Sequence, residues 1–330
     1  MIVKNHEIPL KLLKASAAHQ RLFQNHREFR RIENDLYRER SGYVGELRVD
    51  YPLSRLNFTP FILHDLRLRL FQNHFQMDTT LITDRFILII EVKNSAGILS
   101  FNSSFNQMIQ TLNGQVKNYD DPLIQVEEQK HQLRQRIDFF NGPNLPIETV
   151  VVMANPKAIL DISANDQPHL QRVIPISLLT NKVREISDQF SQRIISQQET
   201  SELAHYFKDH HEYAGFKMED HYNIDVGDFR KGVFCPYCGA LGMNRTKRRW
   251  ECRRCHGRNK DAHLNAFKDH FLLISPEITN RGLRDFLQIS SPSTSKILLN
   301  QSSFEKIGKT NTRKYLMNFD YQSDFGYLLK

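Results

Sequence analysis

Two carboxylates and a lysine within one short stretch of the sequence could hold a divalent cation beside a phosphodiester. Asp78 and Glu91 lie on either side of the polar pair Asp84-Arg85, and Lys93 follows Glu91 by two residues. A cation bound by two carboxylates would polarise a phosphoryl oxygen and lower the pKa of a bound water. The lysine would orient that water or stabilise the charge of the transition state. The chemistry indicated is phosphodiester hydrolysis.

A second interpretation of the same residues is a solvated strand face. On such a face Asp78, Glu91 and Lys93 would form surface ion pairs worth about 0–1 kcal/mol each. The apolar run Ile87–Ile90 favours a central strand and therefore the metal site. Spacing alone leaves both interpretations open.

The element that must position these side chains is a β-hairpin. Residues 75–93 are rich in β-branched and aromatic residues on both sides of the turn at 84–85. A turn centred there predicts that Asp78 lies opposite Glu91, with Cβ atoms about 4.5–5.5 Å apart. Lys93 would share the face of Glu91 because strand side chains alternate with period two. Gln76 would then oppose Lys93.

The surrounding pattern is that of an α/β domain. It predicts a strand at 61–66, a loop around 94–106, a helix starting at Pro122, a buried strand at 149–154, a further strand at 172–175 and an amphipathic helix over 176–208. The continuous apolar run at 149–154 is typical of a strand covered on both faces of a sheet.

Four cysteines form two CxxC pairs, Cys235 with Cys238 and Cys252 with Cys255. This spacing predicts one tetrahedral Zn²⁺ bound by four thiolates in a zinc ribbon. Four cysteines complete the coordination shell, so the expected role is structural. A disulfide or a redox CxxC is the weaker alternative.

The net charge of +8 is concentrated around the cysteines, because residues 228–260 hold ten Lys and Arg against two acids. A basic surface with an aromatic residue suits phosphates and base stacking. The alternative is a solvated ribbon surface. The candidate nucleic-acid-binding residues are Arg245, Lys247, Arg248, Arg249, Trp250, Arg253, Arg254 and Arg258.

The C-terminal residues predict a small helical module. A helix over 261–274 precedes one capped by Thr279 and another that starts at Ser291-Pro292. The last two resemble a helix-turn-helix, and residues 304–317 would form a wing hairpin with its tip at 308–311. A plain helical cap on the ribbon is the alternative.

Four segments together resemble the nuclease-related domain, NERD, of the PD-(D/E)xK nuclease superfamily. They are Gly45-Glu46, Gln76-Met77-Asp78, Glu91-Val92-Lys93-Asn94 and Pro122-Leu123-Ile124-Gln125. The resemblance covers about residues 40–200. Met77 stands where the superfamily has a proline, which leaves the following carboxylate intact.

The resemblance implies a restriction-endonuclease-like mixed sheet flanked by helices. It implies Mg²⁺, or Mn²⁺, held by the Asp78 and Glu91 carboxylates and the Val92 carbonyl, with Lys93 as the catalytic lysine. By the same resemblance Glu46 joins the metal shell from an N-terminal helix. Gln125 joins from the helix that follows the hairpin.

We therefore expect five segments: a helical lead-in (1–40), a nuclease-like domain (41–212), a linker (213–230), a zinc ribbon (231–260) and a helical or winged-helix-like module (261–330). The expected function is metal-dependent endonuclease-type hydrolysis of nucleic acid, with DNA favoured over RNA. One alternative is a non-catalytic DNA-binding or regulatory protein with a structural nuclease-like core. Another is a protein-interaction adaptor that docks through the ribbon.

The remaining expectations concern location and assembly. The sequence holds no apolar run near the roughly 20 residues that a bilayer span needs. Its N-terminal residues lack the apolar core of a secretion signal, so the expected address is cytoplasmic and not a membrane. A homodimer would supply two active sites for cutting both strands of a duplex.

Overall fold

The computed structural model describes residues 1–309 and 312–329, which form two compact units. The first unit comprises residues 1–7 and 40–214, and the second comprises 8–39 and 215–330. The helices are α1 (Leu10–Arg21), α2 (Phe29–Leu47), α3 (Asp50–Ser54), α4 (Pro122–Phe139), α5 (Gln167–Arg172), α6 (Leu179–Gln189), α7 (Gln197–Asp209), α8 (Met218–His221), α9 (His263–Leu273), α10 (Asn280–Leu287) and α11 (Pro292–Gln301).

The strands are β1 (Ile2–Lys4), β2 (Phe61–Leu70), β3 (Asn73–Ile82), β4 (Ile87–Lys93), β5 (Gly97–Asn102), β6 (Gln107–Leu112), β7 (Gln115–Asp120), β8 (Ile147–Met153), β9 (Ala158–Asp161), β10 (Val173–Pro175), β11 (Asn244–Thr246), β12 (Arg249–Glu251), β13 (Arg258–Asn259), β14 (Glu277–Thr279), β15 (Glu305–Ile307) and β16 (Lys314–Leu316). Short 3₁₀ turns cover Ile176–Leu178, Val226–Asp228 and Gly326–Leu328.

The first unit is built on a mixed sheet in the order β1-β2-β3-β4-β8-β10. Strands β2, β3 and β4 are antiparallel, whereas β4, β8 and β10 run parallel. The mixed α/β fold predicted from the sequence is confirmed.

Both faces of this sheet are covered, as the apolar runs predict. Ile87 and Ile89 pack with residues of α4 and α7, while Leu88 and Ile90 pack with residues of α3 and α6. Alternate side chains of β4 therefore enter different cores, and all four are fully buried. A strand this buried fixes its own register, because a one-residue slip would exchange the two faces.

The predicted hairpin is confirmed as β3 and β4, in the predicted register. Ile82 pairs with Ile87 and Thr79 pairs with Ile90, so Asp78 comes opposite Glu91 in the same register. The Thr83 N–H and side-chain hydroxyl both donate to the Phe86 carbonyl, at 3.0 and 2.8 Å, which closes the turn.

The ladder between β3 and β4 does not continue as far as predicted. It stops at Thr79–Ile90, and Gln76 pairs with Arg67 of β2. The predicted pairing of Gln76 with Lys93 is therefore not formed. The cause lies at Asp78, described below, whose side chain takes the place of a backbone partner.

Helix α4 begins at Pro122, as predicted. The Asp121 carboxylate accepts a hydrogen bond from the Leu123 N–H at 2.9 Å and from His169 Nε2 at 2.8 Å. Leu133 and Ile137 bury the helix against the main sheet. The cap at its start and the packing of its C-terminal half fix the position of α4 relative to β3 and β4.

A second sheet, in the order β7-β6-β5-β9, replaces part of the loop predicted around 94–106. The turn between β6 and β7 is Asn113-Gly114, with φ of 50° and 76°. Asn-Gly is typical of a tight β-hairpin turn. The loop prediction was wrong because β5, which lies within 94–106, buries only Leu99 and lacks an apolar alternation.

The single helix predicted over 176–208 is also wrong, because α6 ends at Gln189 and α7 begins at Gln197. Ser196 and Glu199 form a reciprocal capping box, with hydrogen bonds of 3.1 and 2.8 Å. Such a box satisfies the free N–H groups of a new helix start. The local capping signal outweighs the continuous apolar stripe.

In the second unit, β11, β12 and β13 form a small sheet around the cysteines, confirming a ribbon-like element. Helices α9, α10 and α11 and a three-stranded sheet in the order β14-β16-β15 follow. Thr279 caps α10 and Ser291 caps α11, at 3.0 and 3.2 Å, as predicted. The elements follow in the order helix-strand-helix-helix-strand-strand, and the winged-helix assignment stays a prediction. Of the predicted wing tip, residues 310 and 311 lie outside the described residues.

The five-segment division stays a prediction, and the structure adds two facts to it. Residues 8–39, in the segment predicted as a lead-in, belong to the same unit as 215–330. The segment predicted as a linker buries Phe216, Met218, Tyr222 and Phe229.

Replacing Asp121 by alanine is expected to lower the free energy of unfolding of the first unit by about 2–3 kcal/mol. The change removes a helix cap, worth about 1 kcal/mol, and leaves buried His169 without one of its carboxylate partners. Urea denaturation followed by circular dichroism measures the effect. Glu128→Ala, an exposed position on α4, is the control and is expected to change stability by less than about 0.5 kcal/mol. Equal effects of the two substitutions would contradict the capping role.

Candidate active site and metal centres

The predicted active-site residues come from α2, β3, β4 and α4 of the first unit. Glu46 reaches the sheet because Gly45 lets α2 approach the end of β4 closely. A Cβ on Gly45 would lie 2.6 Å from the Cβ of Asn94. Asn94 Nδ2 also donates to the Ser41 carbonyl at 2.7 Å, which fastens α2 to the residue that follows β4. Gly45 and Asn94 belong to two of the segments that resemble the nuclease-related domain. In the structure they pack against each other.

Asp78 and Glu91 lie at the point where β3 and β4 separate. Asp78 Oδ2 accepts a hydrogen bond from the Val92 N–H at 2.8 Å, in place of a backbone carbonyl of β3. Glu91 is only 2% exposed, and its two oxygens accept hydrogen bonds from Lys93 Nζ at 2.6 Å and Gln129 Nε2 at 2.9 Å. Protein donors therefore engage both oxygens of Glu91 and Oδ2 of Asp78.

Lys93 and two glutamines fix the positions of these carboxylates. Lys93 Nζ donates to Gln125 Oε1 at 2.7 Å in addition to Glu91. Gln129, which sequence reasoning missed, also donates to the Gln76 carbonyl at 3.0 Å. Its position four residues after Gln125 places both on one face of α4, and that spacing was the available signal.

Burial and mutual repulsion shift the titration of the site. Burial raises the pKa of Asp78 well above its usual range, and the nearby charges of Glu91 and Glu46 raise it further. Burial and the charge of Asp65 raise the pKa of Glu46 to about 8, although His6 opposes the shift. Without a cation, the site holds protons at neutral pH.

The chemical type of these donors suits a divalent cation, although the ligand atoms of Glu46, Asp78 and Glu91 do not all lie within 4.8 Å of one another. Carboxylate oxygens are the ligands that Mg²⁺ and Mn²⁺ prefer, and a cation would displace the protons that repulsion now retains. The Val92 carbonyl stays a predicted ligand, and the Val92 N–H is already engaged by Asp78.

The four cysteines of the second unit come together as predicted. Their sulfur atoms all lie within 4.8 Å of one another, and the pairs Cys235–Cys255 and Cys238–Cys252 are each 3.6 Å apart. Tetrahedral Zn–S bonds of about 2.3 Å require sulfur separations of about 3.8 Å. All four are free thiols, so the cluster is compatible with Zn²⁺.

The predicted nucleic-acid-binding set requires one correction, at Trp250. Its side chain is completely buried, and its Nε1 donates to His263 Nδ1 at 3.2 Å. It is a core residue of the second unit and cannot stack on a base. Sequence reasoning assigned it to the surface because its neighbours on both sides are charged.

The basic residues of the set fall into two groups. Arg245 lies over the Trp250 ring, Arg253 donates to Asn244, and Arg258 pairs with Glu251, so these three are engaged within the ribbon. The second group is exposed, with side chains that make no ion pair in the described part of the chain: Lys247, Arg248, Arg249 and Arg254.

Comparisons with known proteins bear on the first unit. Residues 41–154 match the family model of the nuclease-related domain. No curated protein is significantly similar to the chain. A solved structure that resembles it is the crystal structure of protein VC1899 from Vibrio cholerae, at 14% identity and a TM-score of 0.27 over 55% of this chain. The match covers 50% of that protein, so this chain spans about half its length.

The helices of the described residues were also compared with the dimensions of a bilayer. Among them, no helix combines the length and the apolar character that crossing a membrane requires.

Replacing Glu46 by glutamine is expected to change how stability depends on pH in the absence of divalent cations. The folded pKa of Glu46 is raised to about 8 from an ordinary 4.5, so the stability that it contributes at low pH is lost as the pH rises through that interval. Glu46→Gln removes this loss and should exceed the wild type by about 1–3 kcal/mol at pH 9. Urea denaturation at pH 5 and pH 9 measures it, with exposed Glu185→Gln as control. A difference from wild type that is equal at both pH values would contradict the pKa assignment.

Proposed function

We propose that this chain, which carries a nuclease-related domain over residues 41–154, is a metal-dependent endonuclease acting on nucleic acid, with DNA favoured as substrate. The observation that carries the proposal is the cluster of Glu46, Asp78 and Glu91 beside Lys93. Beyond the effect of burial, the charges of Glu91 and Glu46 raise the pKa of Asp78, and the charge of Glu91 also raises the pKa of Glu46, an arrangement that costs stability in the absence of a cation.

The proposed cation is Mg²⁺ or Mn²⁺, held by Asp78, Glu91 and the Val92 carbonyl, with Glu46 as a further ligand. When bound, it would polarise a phosphoryl oxygen and lower the pKa of a water. Burial of Glu91 and the hydrogen bond from the Val92 N–H to Asp78 hold the carboxylates in one orientation before any cation binds.

Lys93 is the proposed catalytic lysine. An ammonium group has three N–H donors, and two of them are used on Glu91 and Gln125. The third is available to a phosphate oxygen or to the attacking water. The two existing bonds fix the direction of that donor, so Gln125 acts as a positioning residue for Lys93.

The second unit is proposed to bind the substrate. It holds 27 Lys and Arg against 16 Asp and Glu, whereas the first unit holds 18 against 21. The exposed basic residues Lys247, Arg248, Arg249 and Arg254 cluster in the ribbon. Such a surface neutralises phosphates and releases their counterions.

Three further points belong to the proposal. The four thiols would hold one structural Zn²⁺, because four protein ligands leave no open position. Four free cysteines at a metal-binding spacing suit the reducing conditions of the cytoplasm. A homodimer would bring two active sites to the two strands of a duplex.

Cleavage of duplex, branched and single-stranded DNA in Mg²⁺ or Mn²⁺ is expected for the wild type. Asp78→Ala and Lys93→Ala should each reduce the rate at least about 100-fold, because one removes a cation ligand and the other the proposed charge-stabilising donor. Lys157→Ala, an exposed lysine of the same unit, is the matched control and should cut normally. Cleavage that survives both active-site substitutions would refute this site. Binding without any cleavage would instead favour the non-catalytic DNA-binding function.

Substituting Arg248 and Arg249 together by alanine should weaken DNA binding and reduce its salt dependence. Removing one phosphate-binding side chain lowers the magnitude of the slope of log K against log salt by about 0.9, so the pair should lower it by about 1.8. Fluorescence anisotropy with labelled DNA at several salt concentrations measures the slope. Arg30→Ala, an arginine already paired with Glu33, is the control. An unchanged slope would exclude Arg248 and Arg249 from the interface.

A further inference from the structure

A cleft lies in the first unit at the carboxyl ends of the parallel strands of the main sheet. Ala154, which follows β8, and Ile176, which follows β10, both line it, and its volume is about 500 Å³. Ligands of open α/β sheets commonly bind outside the carboxyl ends of the strands. Sites for small molecules have volumes of about 300–1,000 Å³. The cleft therefore has the position and the size of a ligand site.

The cleft adjoins the proposed active site. Arg48, which lines the cleft, follows Glu46 by two residues. Its Nη1 donates to Asn94 Oδ1 at 3.2 Å and to the Ala154 carbonyl at 2.9 Å. The Ala154 N–H donates in turn to the Lys93 carbonyl at 2.8 Å. The cleft thus begins at the end of β4, one hydrogen bond away from the backbone of the proposed catalytic lysine.

The cleft and the catalytic side chains lie on opposite sides of the sheet at this end. Lys93 Nζ donates to Gln125 of α4, whereas Tyr51 of α3 and Thr180 of α6 line the cleft. Helix α4 packs on one face of β4, and α3 and α6 pack on the other. A substrate strand that crosses the end of β4 can therefore contact both the active site and the cleft.

The lining of the cleft is positively charged. It includes Arg48 and Arg55, and none of the residues that the structure places in it is acidic. This is a local exception, because the first unit as a whole holds 18 Lys and Arg against 21 Asp and Glu. A guanidinium has five N–H donors, and the two bonds of Arg48 Nη1 leave three of them for a phosphate oxygen. The lining therefore suits an anion.

Tyr51 gives the cleft an exposed aromatic ring. Tyr51 is 71% exposed, and the Arg55 guanidinium lies 5.8 Å from its ring centroid. The backbone that carries the ring is fixed to α6, because the Thr180 hydroxyl donates to the Pro52 carbonyl at 2.9 Å. Arg184 Nη2 also donates to the Arg55 carbonyl, at 2.6 Å. Exposed aromatic rings next to cationic side chains are typical of surfaces on which nucleic-acid bases stack.

We propose that Arg48, Tyr51 and Arg55 bind one unpaired nucleotide of the substrate, beside the bond that is cut. The base stacks on the Tyr51 ring, and the two arginines bind the adjoining phosphate. This inference rests on the proposed function, because it assigns a further part of the same substrate.

The proposed site also narrows the substrate class. A base inside a duplex has to leave its stack, at a cost in free energy, before it can lie on a protein ring. The preferred substrate is therefore a nucleic acid with unpaired nucleotides next to the cut, either single-stranded or branched, and continuous duplex is disfavoured.

The test uses the full-length Asp78→Asn protein, in which the cleft is intact and cutting is blocked. The probe is a short single-stranded DNA that carries 5-iododeoxyuridine at each position in turn, because ultraviolet light cross-links this base to an aromatic ring that contacts it. We expect a cross-link to Tyr51, located by mass spectrometry. Fluorescence anisotropy should show that adding Tyr51→Ala weakens binding at least about 5-fold, whereas Tyr51→Phe keeps the ring and the affinity. Tyr37→Ala, which removes a tyrosine that is 77% exposed on α2, is the control and should change neither result.

Two results would overturn the proposal. One is bound DNA without a cross-link to Tyr51 from any position, which is read with Tyr51 intact and stands even if Tyr51→Ala does not fold. The other is equal affinity with and without Tyr51→Ala. A cross-link to Tyr51 in a protein whose wild type cuts no DNA would support the nucleotide site and refute the nuclease function. Cleavage that is lost in Asp78→Ala, with no cross-link to Tyr51, would support the nuclease function and refute the nucleotide site.

Discussion

The first unit depends on holding three carboxylates close together in a largely buried position. Burial and mutual repulsion both disfavour the charged forms, which is why the pKa of Glu46 rises to about 8 and that of Asp78 rises well above its usual range. Among the described residues, the Val92 N–H, Lys93 and Gln129 donate hydrogen bonds to Asp78 or Glu91, and the charge of His6 opposes the shift of Glu46. The ladder between β3 and β4 ends where Asp78 takes a backbone hydrogen bond. The close approach at Gly45 and the cap at Asp121 fix the two helices that complete the cluster.

The two units differ in the sign of their charge, and this difference matches the proposed division of labour. A slightly acidic unit can attract a cation into its carboxylate cluster, whereas a strongly basic unit attracts the phosphates of nucleic acid. The basic unit is assembled around its own buried core, in which Trp250 and Phe267 are completely buried. Its exposed arginines are therefore carried on a packed scaffold.

Features with local signals could be predicted from the sequence. The register of β3 and β4 follows from alternation and turn position, the cysteine cluster follows from CxxC spacing, and the starts of α10 and α11 follow from Thr279 and Ser291. Features that depend on distant contacts could not. Trp250 is buried because it packs against residues that are distant in the sequence. The charged residues on either side of it predicted an exposed position instead. The pairing of β1 with β2 joins Ile2 to Ile62, residues too far apart in the sequence for a local signal.

Proton release on Mg²⁺ binding tests the central claim most directly, because the account requires a cation to displace protons from the carboxylate cluster. Isothermal titration calorimetry of Mg²⁺ at pH 7, in two buffers of different ionisation enthalpy, measures that release. The account predicts about one proton or more released per bound Mg²⁺, with a smaller release in Asp78→Asn, where Glu46 is the remaining protonated ligand. Binding of Mg²⁺ with no proton released, or an equal release in Asp78→Asn, would contradict it.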